Sequence, residues 1–320
     1  MTNVLLVLTM PEPIRNRYRD AMASVSPQLK VNVADRHESV DPWIGEADIL
    51  VTFGPMMSDH VFQKAKRLQW VQALGSGVDG ITDQPSLRSD VIVTNVRGIH
   101  GAPVAEAAIA SMLALARHMP QCFRQQQSHV WQRAPTRILA GKTAAIIGVG
   151  LIAEALAPMC KAFGMHVVGV SSSPRIVAGF DEMAPRARMR ETLGRADHVV
   201  LLAPHTPENH HMIDARAIAS MKPGAFLINL ARGGVVNEPA LIEALKEGRI
   251  AGASLDVFAE EPLPQASPLW DMENVIVTPH LGGFFDEYPS LAIPVIEENL
   301  RRFLAGDRAG MINLVTRNFP

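Results

Sequence analysis

The chain has few of the features that mark secreted, membrane-spanning or nucleic-acid-binding proteins. Its 320 residues contain two cysteines, Cys122 and Cys160, without metal-site spacing, so we expect two reduced thiols in the core. No apolar run approaches the about 18 residues of a membrane span, and the N-terminal run lacks a basic flank and stops at Pro11. The net charge is −2, without a dense basic patch. We therefore expect a soluble cytoplasmic protein with no nucleic-acid or membrane partner.

What the chain does have is a repeated alternation of apolar runs with helix-compatible stretches. The length and a hydrophobic content of 48% favour two domains. The first hundred residues contain five short runs that resemble buried parallel strands: VLLVLT, KVNVAD, DILVTF, WVQALG and VIVTN. A second α/β segment starts at Gly141 and contains six: AAIIGVG, HVVGVSS, HVVLLAP, FLINLAR, ASLDVF and VIVTPH. The pattern predicts two Rossmann-like or flavodoxin-like doubly wound parallel sheets.

The predicted domains are discontinuous along the chain. We predict that residues 1–98 and 288–320 form a substrate-binding domain and that residues 99–287 form an NAD(P)-binding Rossmann domain, with the active site in the cleft between them. The segment Val104 to Arg117 is nearly all apolar or small, so we expect a helix that is buried in the fold or in a subunit interface. The last part of the chain predicts an amphipathic helix that ends at Gly306.

A glycine-rich turn follows the first strand of the second segment. Gly148 would allow the tight turn, Gly150 would let the backbone approach a pyrophosphate, and Ala153 is an accepted third position. The predicted cofactor contacts of this turn are Gly148, Val149, Gly150, Leu151 and Ile152. Pro158 should bend the helix that follows or start a new segment.

The end of the next strand indicates which dinucleotide is bound. NAD sites usually carry an acidic residue there. This chain instead has Ser171, Ser172, Ser173 and Arg175, and the first acidic residue after the strand is Asp181. Hydroxyls and a guanidinium suit a 2′-phosphate. We therefore favour NADP(H), with NAD(H) possible if Arg175 is only a solvated loop residue.

Three ionisable residues come at or after predicted strand ends that would share one sheet edge. Arg232 could bind the carboxylate and carbonyl oxygen of a 2-oxo acid, and His280 could donate the proton that the carbonyl oxygen needs. Glu261 would pair with His280 and stabilise its protonated form. Asp256 could accept a hydrogen bond from a nicotinamide carboxamide.

A possible anion-binding turn lies in the first segment, at ALGSGVDG. The backbone N–H groups around Ser76 and Gly77 could hold the substrate carboxylate, although an ordinary strand-to-helix turn would have the same sequence. We predict no metal site, because His205, His210 and His211 flank a polar turn and are better explained as exposed residues.

These motifs resemble the D-isomer-specific 2-hydroxyacid dehydrogenases, especially the glyoxylate and hydroxypyruvate reductases. The resemblance runs from about Leu74 to the C-terminus and includes GSGVD, TN…G…PVAE, GVGLIA, APHTPEN, MKPGAFLINLARGGVVNEPALIEAL, LDVFAEEPLP and TPHLGG. It implies a homodimer that uses the nucleotide domain and a helix like 104–117. It also implies one role for each matching residue: Arg232 as the substrate-binding arginine, Glu261 (rather than Glu260) and His280 as the acid–base pair, Asp256 as the carboxamide contact, Ser76 and Gly77 as the carboxylate turn, and Pro204, Thr206, Leu230, Ala231 and Gly282 as further cofactor contacts.

The sequence departs from the family pattern after Gly283, where Phe284 and Phe285 stand in place of the usual Ala-Thr. The favoured function is reversible reduction of a small 2-oxo acid such as glyoxylate or hydroxypyruvate to the D-2-hydroxy acid. An NAD-linked enzyme for a bulkier aryl-pyruvate is an alternative, with an apolar pocket lined by Phe53, Met56, Met57, Phe284 and Phe285. A dinucleotide-sensing, corepressor-like binding protein is a second alternative. The lack of a C-terminal extension argues against the long phosphoglycerate dehydrogenases.

Overall fold

The structure is a computed structural model that describes residues 1–173 and 175–316, apart from the side chain of Met56. The chain divides into two compact units. The first unit is Met1–Ile99 together with the segment that begins at Asp286, and the second unit is His100–Phe285. Each unit contains a parallel sheet, so the predicted class of two α/β domains is confirmed.

The first unit is built on a five-stranded parallel sheet with the order β2-β1-β3-β4-β5. All five predicted strands are present: β1 (Thr2–Val7), β2 (Leu29–Ala34), β3 (Ile49–Thr52), β4 (Trp70–Ala73) and β5 (Ile92–Thr94). Three helices connect them: α1 (Glu12–Val25), α2 (Asp41–Ile44) and α3 (Asp59–Lys64). Every residue of β3 and β4 is buried, because a parallel sheet is covered on both faces.

The second unit has a seven-stranded parallel sheet with the order β12-β11-β10-β9-β6-β7-β8. Its strands are β6 (Thr143–Ile147), β7 (His166–Ser171), β8 (Glu182–Pro185), β9 (His198–Leu201), β10 (Phe226–Asn229), β11 (Gly252–Leu255) and β12 (Val275–Val277). Its helices are α4 (Gly101–Ala116), α5 (Met119–Gln127), α6 (Leu151–Ala162), α7 (Met189–Arg195), α8 (Ala215–Ser220) and α9 (Glu238–Lys246). The strand order reverses between β6 and β9, which is where ligands bind in such sheets.

The last helix, α10 (Tyr288–Leu304), belongs to the first unit and packs against α1. Its buried Asn299 donates a hydrogen bond of 3.0 Å to Gln72 Oε1 of β4, and Phe303 stacks on Trp70 with ring centroids 5.3 Å apart. Gly306 follows the helix with φ +78°, which is the predicted end. The C-terminal helix is therefore a structural part of the first sheet's core.

Four details differ from the sequence predictions. Strand β8 was not predicted, and the apolar helix begins at Gly101. Helix α6 runs continuously through Pro158, so no new segment starts there. Cys160 is buried as predicted, but Cys122 is exposed, because α5 has no buried residue and covers no core. Among the described residues, no helix combines the length and apolar character that crossing a membrane requires.

Candidate active site

The carboxyl edge of the second unit's sheet carries the predicted chemical groups. Arg232 follows β10, Asp256 directly follows β11, and His280 follows β12. These three strands are neighbours in the sheet and run parallel. The polar residues after them therefore come to the same edge, as the sequence predicted.

His280 and Glu261 form a hydrogen-bonded pair at this edge. Glu261 Oε2 lies 2.8 Å from His280 Nδ1, and the two side chains are 30% and 38% exposed. The other carboxylate oxygen, Oε1, accepts a hydrogen bond of 3.1 Å from the Phe258 N–H. Because Nδ1 is held by the carboxylate, Nε2 is the imidazole nitrogen that can exchange a proton with a substrate.

The charge state of Glu261 follows from these contacts. Burial raises the pKa of its carboxyl, but the hydrogen bond and charge of His280, the Phe258 N–H and the positive charge of Arg232 together bring the pKa below the ordinary value of 4.5. Glu261 is therefore a carboxylate at neutral pH. The influence of Arg232 on it also shows that the predicted arginine, glutamate and histidine share one electrostatic environment.

Asp256 organises the loop that carries His280. Its carboxylate is buried and accepts three hydrogen bonds, from Thr278 Oγ1 (2.6 Å) and from the N–H groups of Leu281 and Gly282 (both 2.8 Å). A carboxylate has about four acceptor positions, so one remains for an outside donor such as the predicted carboxamide. The larger role of Asp256 in the structure is to fix the turn around His280.

A second buried polar residue, Asn229, fixes the turn around Arg232. Asn229 Oδ1 accepts a hydrogen bond from the Ala231 N–H (3.1 Å), and its Nδ2 donates to the Arg232 carbonyl (3.2 Å). An added Cβ on Gly233 would lie 1.8 Å from the Phe258 carbonyl oxygen, so the chain after Arg232 packs directly on the neighbouring loop. Asn229 was not predicted from the sequence, although a polar residue that ends an apolar strand was a signal for it.

His100 is another site residue that the sequence did not indicate. An added Cβ on Gly283 would lie 2.9 Å from His100 Cδ2, so the imidazole packs against the loop that follows His280. Burial, together with the positive charge of Arg232, lowers the pKa of His100 to about 4. His100 is therefore a neutral imidazole near Arg232 at neutral pH.

The predicted glycine turn lies at the reversal of strand order. Gly148 has φ +97°, and an added Cβ would lie 2.5 Å from the Ala203 nitrogen, so only glycine fits where the loops after β6 and β9 meet. An added Cβ on Gly150 meets no other atom within 4 Å. The exposed Leu151 begins α6, whose first N–H groups form the positive end of the helix. This turn therefore has the space and polarity that a pyrophosphate needs.

The other predicted cofactor residues follow strands of the same sheet. An added Cβ on Gly282 would lie 2.9 Å from Asp256 Oδ2 and 3.2 Å from Leu230 Cδ2, so the structure brings these three residues together. Ala231 is buried beside Leu230, whereas Pro204 and Thr206 follow β9, where Pro204 is exposed and Thr206 is half-buried.

The loop after β7 contains the predicted 2′-phosphate residues. Ser172 and Ser173 are exposed, and the Ser173 N–H donates to Ser171 Oγ (3.2 Å). Arg175 forms an ion pair with Glu154 of α6, a partner that the sequence did not indicate. Asp181, the first acidic residue after β7, forms an ion pair with Lys161 Nζ at 2.7 Å.

Ser76 and Gly77 belong to the first unit and follow β4. Asn95 Nδ2 donates to the Ser76 carbonyl (2.8 Å), and the Val96 N–H donates to the Gly75 carbonyl (3.3 Å). Two carbonyl oxygens of the turn are thus engaged within the unit, and Ser76 is exposed. This arrangement is compatible with a turn that presents N–H groups to an anion.

The residues of the alternative apolar pocket differ in exposure. Met57 is 8% exposed in the core of the first unit, which contradicts a pocket-lining role for it. Phe284 is 48% exposed in the second unit, Phe53 and Phe285 are half-buried, and the side chain of Met56 lies outside the described residues.

The three histidines near the β9 loop lie close together. His205 Nε2 is 3.1 Å from His210 Nδ1, and the His210 and His211 rings stack with centroids 3.8 Å apart. His205 and His210 are exposed as predicted, whereas His211 is half-buried. Within residues 1–173 and 175–316 no group of three or more histidine, cysteine, aspartate or glutamate side chains could hold a metal ion.

The doubly wound sheet, the glycine turn at its strand reversal and the polar groups at its carboxyl edge define a dinucleotide-binding α/β protein. Residues 109–282 match the family described as "D-isomer specific 2-hydroxyacid dehydrogenase, NAD binding domain". The chain therefore belongs to the D-isomer specific 2-hydroxyacid dehydrogenase family, which confirms the resemblance inferred from its motifs.

The relatives of the chain include proteins with different enzyme names. The chain is 37% identical to a D-3-phosphoglycerate dehydrogenase from Methanocaldococcus jannaschii over 83% of its own length and 51% of that protein, so it spans about half of that relative. It is 33% identical to a glyoxylate reductase from Pyrococcus furiosus over 88% of its own length and 90% of that protein. A crystal structure of a D-isomer specific 2-hydroxyacid dehydrogenase from Xanthobacter autotrophicus Py2, in complex with NADPH and MES, has a TM-score of 0.82 at 32% identity over 98% of both chains.

Proposed function

We propose that this protein is an NADPH-preferring oxidoreductase that reversibly reduces a small 2-oxo acid of the glyoxylate or hydroxypyruvate type to the D-2-hydroxy acid. The observation that carries the proposal is the Glu261–His280 hydrogen bond of 2.8 Å at the sheet edge where Arg232 also lies. A histidine held by a carboxylate beside a guanidinium suits proton transfer to an oxygen on which negative charge develops.

His280 would be the proton donor of this reaction. In the direction of reduction, Nε2 gives its proton to the carbonyl oxygen, and the ring remains bonded to Glu261 through Nδ1. Glu261, as a carboxylate, stabilises the imidazolium before the transfer and keeps the ring in one orientation. In the direction of oxidation, the same nitrogen removes the proton from the hydroxyl.

Arg232 would bind the carboxylate and the carbonyl oxygen of the substrate. Its guanidinium offers donors in a rigid fork, and Asn229 fixes the backbone on either side of it. We also propose that the N–H groups of the turn at Ser76 and Gly77 bind the substrate carboxylate. Substitutions in this turn would then raise the KM for the 2-oxo acid more than they lower kcat.

The residues of the second unit fit a nicotinamide dinucleotide. The open space at Gly150 and the N-terminus of α6 suit the pyrophosphate, and the remaining acceptor position of Asp256 suits the carboxamide. When bound, the cofactor supplies the hydride. The further contacts would come from Val149, Leu151, Ile152, Pro204, Thr206, Leu230, Ala231 and Gly282.

The preference for NADPH is supported by the loop after β7. Its Ser172, Ser173 and Arg175 are exposed, and no acidic residue lies between the end of β7 at Ser171 and Asp181. A guanidinium and hydroxyls can hold a phosphate, whereas NAD sites usually have a carboxylate at this position. The Xanthobacter autotrophicus relative was crystallised with NADPH.

Initial rates of the purified protein would test the proposed function. Glyoxylate, hydroxypyruvate and phenylpyruvate would each be assayed with NADPH and with NADH, and D-3-phosphoglycerate would be assayed for oxidation. We expect the highest kcat/KM with NADPH and one of the two small 2-oxo acids. Tight dinucleotide binding without turnover of any substrate would favour the dinucleotide-sensing alternative.

A bulkier substrate is the second candidate. Phe284 is 48% exposed, where the family pattern has a smaller residue. An exposed aromatic ring can pack against an aryl side chain. A kcat/KM with phenylpyruvate above that with glyoxylate, together with use of NADH, would favour this candidate over the first.

We also propose that the protein is a homodimer. Phe123 of α5 and Val130, Trp131 and Ile138 after it are at least half exposed. Residues 130–138 contain no helix or strand. Large apolar side chains that are exposed together mark interaction surfaces, and the commonest such assembly is a symmetric dimer.

A further inference from the structure

The ion pair between Glu154 and Arg175 joins two parts of the candidate cofactor site. Glu154 lies in the first turn of α6, directly after the glycine turn, and Arg175 lies in the loop after β7. The Arg175 guanidinium donates to Glu154 Oε1, and the two side chains are 57% and 36% exposed. Arg175, the cation predicted to bind the 2′-phosphate, therefore already donates a hydrogen bond to a carboxylate.

Glu154 would oppose phosphate binding in two ways. Oε1 of Glu154 engages one terminal nitrogen of the guanidinium, so a phosphate that needs this nitrogen for a bidentate contact has to displace the carboxylate. In addition, the negative charge of Glu154 repels a dianionic phosphate that approaches Arg175. NADH has a neutral 2′-hydroxyl and encounters neither cost.

We propose that Glu154 sets the cofactor selectivity by competing with the 2′-phosphate of NADPH for Arg175. This inference rests on the proposed use of NADPH and adds a residue that limits the preference. Because the ion pair is exposed, it is weak enough for a phosphate to displace it. Glu154 thus lets the site bind NADPH but reduces the difference between its affinities for NADPH and NADH.

The experiment measures direct binding of the two cofactors to the purified full-length protein. Isothermal titration with NADPH and with NADH, at about 0.15 M salt so that distant charges are screened, would be done for the wild type, Glu154→Gln, Arg175→Ala and the double variant. The matched control is Glu247→Gln. Glu247 is also an exposed carboxylate in an ion pair with an arginine, Arg249, but it precedes β11 at the opposite edge of the sheet.

We expect Glu154→Gln to lower the Kd for NADPH about fivefold, the size of change that follows from freeing a side chain from an exposed ion pair, while the Kd for NADH stays within about twofold. Arg175→Ala should raise the Kd for NADPH about tenfold, because a charge-assisted phosphate contact is lost. In the Arg175→Ala background, Glu154→Gln should lower the Kd for NADPH less than about twofold, because Glu154 affects NADPH binding through Arg175.

Three outcomes would overturn this inference alone. Weaker NADPH binding by Glu154→Gln would mean that Glu154 holds Arg175 in its phosphate-binding position. An equal gain for NADPH and NADH, or the same gain in Glu247→Gln, would mean a general effect of charge. If Arg175→Ala leaves the ratio of the two Kd values unchanged, the NADPH preference of the proposed function is wrong, and the role of Glu154 is wrong with it.

Discussion

His280 adopts a backbone conformation that residues other than glycine seldom have. Its φ is +54°, and its N–H bonds to the Asp256 carbonyl (2.9 Å) and the Thr278 carbonyl (3.0 Å). The buried carboxylate of Asp256 fixes the next two N–H groups. The left-handed conformation costs free energy, and these contacts maintain it, so the imidazole is directed at Glu261 by the loop itself.

At the residue scale, Arg232→Ala should abolish most of the activity while the cofactor still binds. Loss of the charge that faces the developing oxyanion is expected to lower kcat/KM about 10²- to 10³-fold. Arg232→Lys should retain more of the wild-type kcat/KM than Arg232→Ala but not all of it, since an ammonium lacks the fork of donors. Steady-state kinetics and NADPH titration would measure both effects, and kcat/KM within about threefold of the wild type in Arg232→Ala would contradict the assigned role.

Glu261→Gln should reduce stability in a pH-dependent manner. The pKa of Glu261 is lower in the folded protein than its ordinary value of 4.5, so its stabilising contribution is complete above about pH 4.5 and is lost as the pH falls through the folded pKa. The difference in Tm between the wild type and Glu261→Gln should therefore shrink in acid. Thermal unfolding from pH 7 to pH 3 would measure this difference. A difference in Tm that stays constant over this range would contradict a stabilising role for the Glu261 carboxylate.

At the scale of an element, the two glycines of the β6–α6 turn should respond differently to the same substitution. Gly148→Ala adds a Cβ 2.5 Å from the Ala203 nitrogen at φ +97°, whereas Gly150→Ala adds one where no other atom lies within 4 Å. We expect Gly148→Ala to lower the Tm by several degrees. Gly150→Ala should leave the Tm nearly unchanged but weaken NADPH binding at least about tenfold, because the methyl group occupies the space for the pyrophosphate.

Thermal unfolding and NADPH titration of both variants would separate the two roles. An unchanged NADPH affinity in a well-folded Gly150→Ala variant would show that the pyrophosphate binds elsewhere.

Strand β9 introduces a second dependence of stability on pH. His198 is buried beside Phe226, with ring centroids 5.4 Å apart, and burial lowers its pKa from 6.5 to about 4. Because the unfolded state binds the proton more readily, stability falls as the pH falls from about 6.5 to about 4. The Tm of His198→Leu should fall less between pH 7 and pH 4.5 than the Tm of the wild type. Equal losses in the two proteins would contradict this assignment.

The sequence predicted the elements with strong apolar patterns and missed those defined by tertiary contacts. All five strands of the first unit and six of the seven in the second were visible as apolar runs. Strand β8, from Glu182 to Pro185, was not, because an edge strand of four residues has little apolar signal. The same limit applies at the site: His280 and Glu261 could be paired from their motifs, whereas the contacts of His100 with Gly283 and of Glu154 with Arg175 depend on loops that only folding brings together.

At the scale of the whole molecule, the exposed segment after α5 makes the oligomeric state testable. Trp131 is 94% exposed, and burial of such a ring by a second copy would contribute strongly to association. We expect the wild type to be a dimer by light scattering after size-exclusion chromatography, and Trp131→Glu to be largely monomeric at micromolar concentration. Leu291→Glu, at an exposed apolar position of α10, is the control and should remain dimeric. A monomeric wild type would contradict the proposed dimer.

The return of α10 to the first unit has a consequence for the order in which a nascent chain can fold. The second unit is one continuous stretch and can be completed as soon as Phe285 has left the ribosome. By then every strand of the first unit has already been synthesised, but the helix that supplies Phe303 to stack on Trp70 and Asn299 to bond to Gln72 does not yet exist. The strands of the first unit must therefore wait for α10, with their apolar surface exposed to holdase chaperones in the interval.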